Sequence, residues 1–111
     1  MDWSNLTDEN QLQHLIVQSK TTPQVIFKHS TRCNISSVAY QRLNSSKQTA
    51  DANFHYLDLI KYRLISDKVA EVFNEQHESP QVLVIKNGTC TYSESHLGIT
   101  MNDLIEQTMD N

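Results

Sequence analysis

The stretch from Val25 to Tyr40, VIFKHSTRCNISSVAY, constrains this chain more than any other, because its hydrophobic period changes partway along. Val25-Ile26-Phe27 is apolar at every position, the pattern of a strand covered on both faces. Ile35, Val38, Ala39 and Leu43 then recur at i, i+3, i+4 and i+8, the stripe of a helix running to about Asn44. Cys33 stands where the strand hands over to the helix. The N–H groups of a first helical turn are unpaired, and the positive end of the dipole points the same way. Both favour thiolate over thiol. The alternative is a small buried hydrophobe, the ordinary fate of a free cysteine.

The rest of the chain follows the same alternation. Thr7 followed by Asp8 and Glu9 predicts a helix start, with Leu12, Leu15 and Ile16 on one stripe and Pro23 ending the connection behind it. The first strand is Gln24 to Lys28. Asn53 to Leu59 (NFHYLDL) reads as a second strand. Ile60 to Ile65 reads as a loop before Ser66-Asp67, a cap opening a helix that turns Val69, Val72 and Phe73 inward. HESP (His77 to Pro80) precedes the apolar run Val82 to Ile85. Asn87-Gly88 is a hairpin signal, since both central positions of a type I′ turn need positive φ. A returning strand covers Thr89 to about Ser93. Thr100 with Asp103 forms a capping pair for a last helix carrying Leu104 and Ile105.

The order is α-β-α-β-α-β-β-α. It predicts an α/β protein with a four-stranded mixed sheet and helices on both faces, in which the first two strands form a right-handed parallel βαβ unit. That is a thioredoxin-like fold, with the functional cysteine after the first strand. The 111 residues suit one domain, 1–111.

Several function classes are disfavoured by composition. The net charge is −4 with no basic run, against a nucleic-acid or membrane-surface binder. No apolar stretch approaches the roughly 18–20 residues of a membrane span. MDWSNLTDENQ has neither the basic nor the apolar region of a secretory signal. Two distant cysteines, Cys33 and Cys90, make no disulfide scaffold, so a reducing cytoplasm is expected. The sequence does not give the oligomeric state, and a monomer is the default expectation. The five histidines show no i,i+4 pair and predict no zinc site. With only Gly88 and Gly98, no phosphate loop is present.

Three local features coincide around Cys33. Cys33-Asn34-Ile35-Ser36 has C-x-x-S spacing, Pro80 stands directly before the third strand, and the flanks read KHSTRCNIS, Arg63-x-x-Ser66, ESPQVLVIKNG and Ser95-His96-x-x-Ile99-Thr100. Together these resemble the monothiol bacilliredoxins, the YtxJ-like family of the thioredoxin-like superfamily, over about Val25 to Ile105. The chain departs from that family at Asn34, where proline is usual, and at Arg32, where threonine is usual.

The resemblance implies a monothiol oxidoreductase without a bound cofactor, in which Cys33 removes a low-molecular-weight thiol such as bacillithiol from mixed disulfides on client proteins. On that reading Cys33 is the nucleophile. Ser36 either donates to the sulfur or is an exposed first-turn serine. Pro80, if cis, would bring the backbone of Ser79 beside Cys33 to meet the client. Arg32 and Asn34 flank the sulfur, Arg63 is either a holder of a carboxylate of the small thiol or, the favoured reading, a solvated loop arginine, and His29 is an acid–base or a structural group. Cys90 is expected to be structural. Two other readings compete: a non-catalytic interaction module of the same fold, and a monothiol glutaredoxin-like iron–sulfur carrier.

Overall fold

Strand β2 (Gln24–His29) is buried along its whole length, and the sheet grows outward from it on both sides. Residues 1–109 are described by a computed structural model. Its elements are β1 (Trp3–Asn5), α1 (Glu9–Gln18), β2, α2 (Asn34–Asn44), β3 (Asn53–Asp58), α3 (Arg63–Phe73), β4 (Gln81–Lys86), β5 (Thr89–Ser95) and α4 (Met101–Thr108). The strand order is β1-β3-β2-β4-β5, with β1, β3 and β2 parallel and β4 and β5 antiparallel to their neighbours.

Strand alternation divides the core into two layers. Val25 and Phe27 face Ala39, Leu43, Met101 and Leu104, so α2 and α4 cover one face. Ile26 faces Leu12, Leu15, Val69 and Phe73, so α1 and α3 cover the other. The parallel strands put Asn5, His29 and Asp58 at one carboxyl edge of the sheet, with Asp58 directly opposite His29. Asn87 and Gly88 adopt φ of 52° and 74°, the paired positive values of the anticipated hairpin turn.

Five points differ from the sequence reading. The sheet has five strands rather than four, because Trp3–Asn5 pairs with β3 and lays the Trp3 indole against Phe27, Tyr40, Phe54 and Tyr56. Helix α1 is capped by Asp8 rather than Thr7: Asp8 Oδ1 accepts the Gln11 N–H at 2.8 Å while Gln11 reaches back. Helix α3 begins at Arg63, a turn earlier than Ser66, because the Tyr62 and Ile65 turn already bonds Tyr62 O to the amides of Ile65 and Ser66. Ile35 and Val38 are 42% and 47% exposed, and the inward stripe of α2 is Ser36, Ala39 and Leu43. Val72 likewise faces outward, beside the buried Val69 and Phe73.

Candidate functional site

Cys33 is the N-cap residue of α2, extended at φ −113° and ψ 121°, and half-buried. Its N–H donates to Ser30 O at 3.2 Å, and its carbonyl accepts the Ser37 N–H at 3.1 Å. The turn Ser30–Cys33 is therefore closed on itself, and the sulfur is delivered to the first, unpaired turn of a helix. Arg32 and Asn34 on either side are both exposed. Neither Arg32 nor Asn34 side chain is needed to build the turn.

Ser36 is fully buried, and its hydroxyl bonds within the Cys33 turn. Oγ accepts the Ser30 N–H at 3.0 Å and lies 2.7 Å from His29 Nδ1. With the imidazole on one side and the Ser30 amide on the other, Ser36 works as a clamp on the Cys33 turn rather than as an exposed serine. His29 is itself buried, packed against Phe27, Tyr40 and Tyr56 at ring separations of 5.6, 5.2 and 5.4 Å. Burial pushes its imidazole pKa down, against the opposing pull of Asp58, which keeps the ring neutral near pH 7.

The Ser79–Pro80 peptide is cis, at the entry to β4. The Ser79 hydroxyl is buried and has no hydrogen-bond partner among the described residues. Pro80 O accepts the His96 N–H at 3.0 Å, and His96 Nε2 lies 3.7 Å from Glu78 Oε2, so the turn after β5 braces this loop. Beneath it lies a network the sequence did not disclose. Lys28 is fully buried, donating to Ser66 O at 3.1 Å and lying 3.2 Å from His77 Nδ1. Burial lowers the Lys28 pKa to about 8, with Asp67 pulling the other way. A lysine inside an apolar strand pattern carries no periodic signal, and its partners come from residues far along the chain.

Arg63 opens α3 and is exposed at the same carboxyl edge as the Cys33 turn. Cys90 is elsewhere. It pairs with Ile85, which pairs with Gln24 at the far end of β2. Roughly 17 Å of strand separates that end from His29, well beyond disulfide reach. Burial, then Glu75, pushes the Cys90 thiol up to about 12. Among the described residues no group of three or more His, Cys, Asp or Glu side chains is placed to hold a metal ion, and no helix is long and apolar enough to cross a membrane.

A parallel βαβ unit carrying one thiol at the N-terminus of its crossover helix, with Pro80 opening the antiparallel hairpin, defines a thioredoxin-fold thiol–disulfide redox protein. Solved structures agree on the fold. The chain is 28% identical to a proposed oxidoreductase with a thioredoxin fold, covering 95% of this chain and 92% of that one, with a TM-score of 0.81. It is 22% identical to Schistosoma mansoni thioredoxin, covering 97% and 96%, with a TM-score of 0.73. More narrowly, the chain belongs to the monothiol bacilliredoxin family: the model for monothiol bacilliredoxin BrxC matches residues 4–104.

Proposed function

We propose that the protein removes a small thiol from mixed disulfides on client proteins through Cys33 alone, with bacillithiol or a related thiol as co-substrate. The Cys33 thiolate attacks the small-thiol sulfur of a client–S–S–R bond. That bond breaks, the client leaves as a thiolate that takes a proton from solvent, and Cys33 carries the new S–S–R bond. A second small thiol then attacks the R sulfur, releases RSSR and restores Cys33. The two electrons that reduce the client come from the small thiol.

One observation carries this reading. The reactive position is the N-cap of α2, with Ser36 at the place of a second cysteine and Cys90 at the opposite edge of the sheet. A single thiol so isolated has no intramolecular resolving partner, which suits exchange with a mixed disulfide better than reduction of a protein disulfide. The main chain at the cis Ser79–Pro80 peptide supplies a surface for the client backbone or the S–S–R adduct.

The test is turnover. A bacillithiolated client protein is mixed with catalytic amounts of this protein and excess bacillithiol, and client thiol is followed with time. Release at many equivalents per protein, lost in Cys33→Ala and retained in Cys90→Ala, is the expected result. Release unaffected by Cys33→Ala would overturn it.

A further inference from the structure

We infer that Lys28 and His77 are positioning residues for the client: together they hold the 77–80 segment beside the Cys33 turn in the shape that receives the client chain, and neither acts on the sulfur. The inference rests on the exchange reading above and adds the residues that shape the site for a polypeptide.

The strand register brings the two parts together. Lys28 pairs with Gln81 across β2 and β4, so the chain leaving β2 toward Cys33 and the chain entering β4 from His77 share one edge of the sheet. Lys28 is fully buried, on the face of β2 that carries Ile26 and is covered by α3. Its Nζ donates to Ser66 O at 3.1 Å and to His77 Nδ1 at 3.2 Å. An ammonium has donors only, so Nδ1 is the acceptor and the neutral ring carries its proton on Nε2. One cation thus joins β2, α3 and the segment before β4.

The ends of that segment are held separately. Buried Gln81 donates from Nε2 to Gln76 O at 2.9 Å, and Pro80 O accepts the His96 N–H at 3.0 Å. Between those ties, the Ser79 hydroxyl has no partner among the described residues, and Glu78 meets only the half-exposed His96 ring at 3.7 Å. The middle of the segment therefore takes its place from His77.

Stability alone does not account for Lys28. The layer it enters is otherwise built from Ile26, Val69, Phe73 and Leu83. A buried ammonium there carries a desolvation cost that an apolar side chain of similar length does not. Burial accordingly lowers its pKa to about 8 against the pull of Asp67. Lys28→Met removes the hold on His77 while still filling the layer.

The experiment presents the same attacked sulfur with and without a peptide. Intact-mass spectrometry follows the Cys33 adduct on the full chain, formed from an extended cysteine peptide in mixed disulfide with bacillithiol and from bacillithiol disulfide. In Lys28→Met the peptide substrate should react about fivefold or more slower, with bacillithiol disulfide unchanged within about twofold. His77→Leu should match it, and keeps the test readable if Lys28→Met does not fold. His77→Gln, whose side-chain oxygen can accept from Lys28, should recover part of the loss. Equal slowing of both substrates, or of neither, overturns the inference. So does a shifted pH profile of Cys33 alkylation in Lys28→Met, which would make the ammonium an electrostatic partner of the sulfur. Ring titration reads the contact itself. Burial, then Lys28 and Arg63, lower the His77 pKa against Asp67 and Glu78, so its midpoint should rise in Lys28→Met. An unmoved midpoint would overturn the pairing. No adduct from either substrate in the parent protein would sink the exchange reading, and this inference with it.

Discussion

The Ser36 hydroxyl lies 2.7 Å from Nδ1 of His29 while accepting the Ser30 N–H at 3.0 Å, so one buried serine joins both sides of the turn that presents Cys33. Removing it leaves a half-buried amide and a buried ring nitrogen without their partner. Ser36→Ala should therefore cost on the order of 1–3 kcal/mol, read as a fall in the urea midpoint. Cys33 should remain alkylatable, because the hydroxyl serves the turn and not the sulfur. Unchanged stability in Ser36→Ala would contradict the clamp.

Asn34 occupies the first helical position, and Cys33 before it already has the extended backbone that a following proline demands, at φ −113° and ψ 121°. Asn34→Pro should thus be accommodated and should stabilise the fold by roughly 0.5–1 kcal/mol, through a stiffer unfolded chain. A lower melting midpoint would show that the Asn34 N–H has a role the turn geometry does not suggest.

Acid should weaken the protein through its histidines. His55 lies 2.7 Å from Gln24 Oε1, and burial, with His14 adding to it, holds its pKa at about 4 against a usual 6.5. The unfolded chain then binds the extra proton first, so stability is full above about pH 6.5 and falls as pH drops toward 4. His29 and His77, also lowered, act in the same direction. The share from His55 is on the order of 2 kcal/mol after allowing for solvent screening. Urea midpoints across this range should flatten in His55→Gln, and an equally steep fall would exclude His55 as the source.

Lys28 predicts the opposite end of the pH scale. Its folded pKa of about 8 lies below the usual 10.5, so between those values the unfolded chain holds more protons and stability rises with pH. The span is worth on the order of 2 kcal/mol after allowing for solvent screening. Lys28→Met lacks this slope, so its stability relative to the parent should decline across the window. Parallel curves for the two proteins would show that the ammonium is not desolvated as its burial implies.

Much of this was legible in the chain. The strand, cysteine and helix from Val25 to Leu43, the Asn87-Gly88 turn and the approach to β4 each carry a local signal strong enough to stand alone. β1 carries none, because three residues are too few for a period and its partner, Phe54 to Tyr56, is some fifty residues away. Ser66 misled in a different way. Serine before aspartate reads as a cap, yet it is buried within α3, where its carbonyl receives Lys28. The Lys28–His77 contact is likewise assembled from β2 and the segment before β4, and only the folded sheet brings those parts together.

The central claim is that Cys33 alone forms the mixed disulfide. Its most direct test is intact-mass spectrometry with peptide mapping after incubation with bacillithiol disulfide or glutathione disulfide. The account predicts one added thiol per chain, on Cys33, absent in Cys33→Ala and removed by reduced thiol. An adduct on Cys90, or none on Cys33 in folded protein, would contradict it.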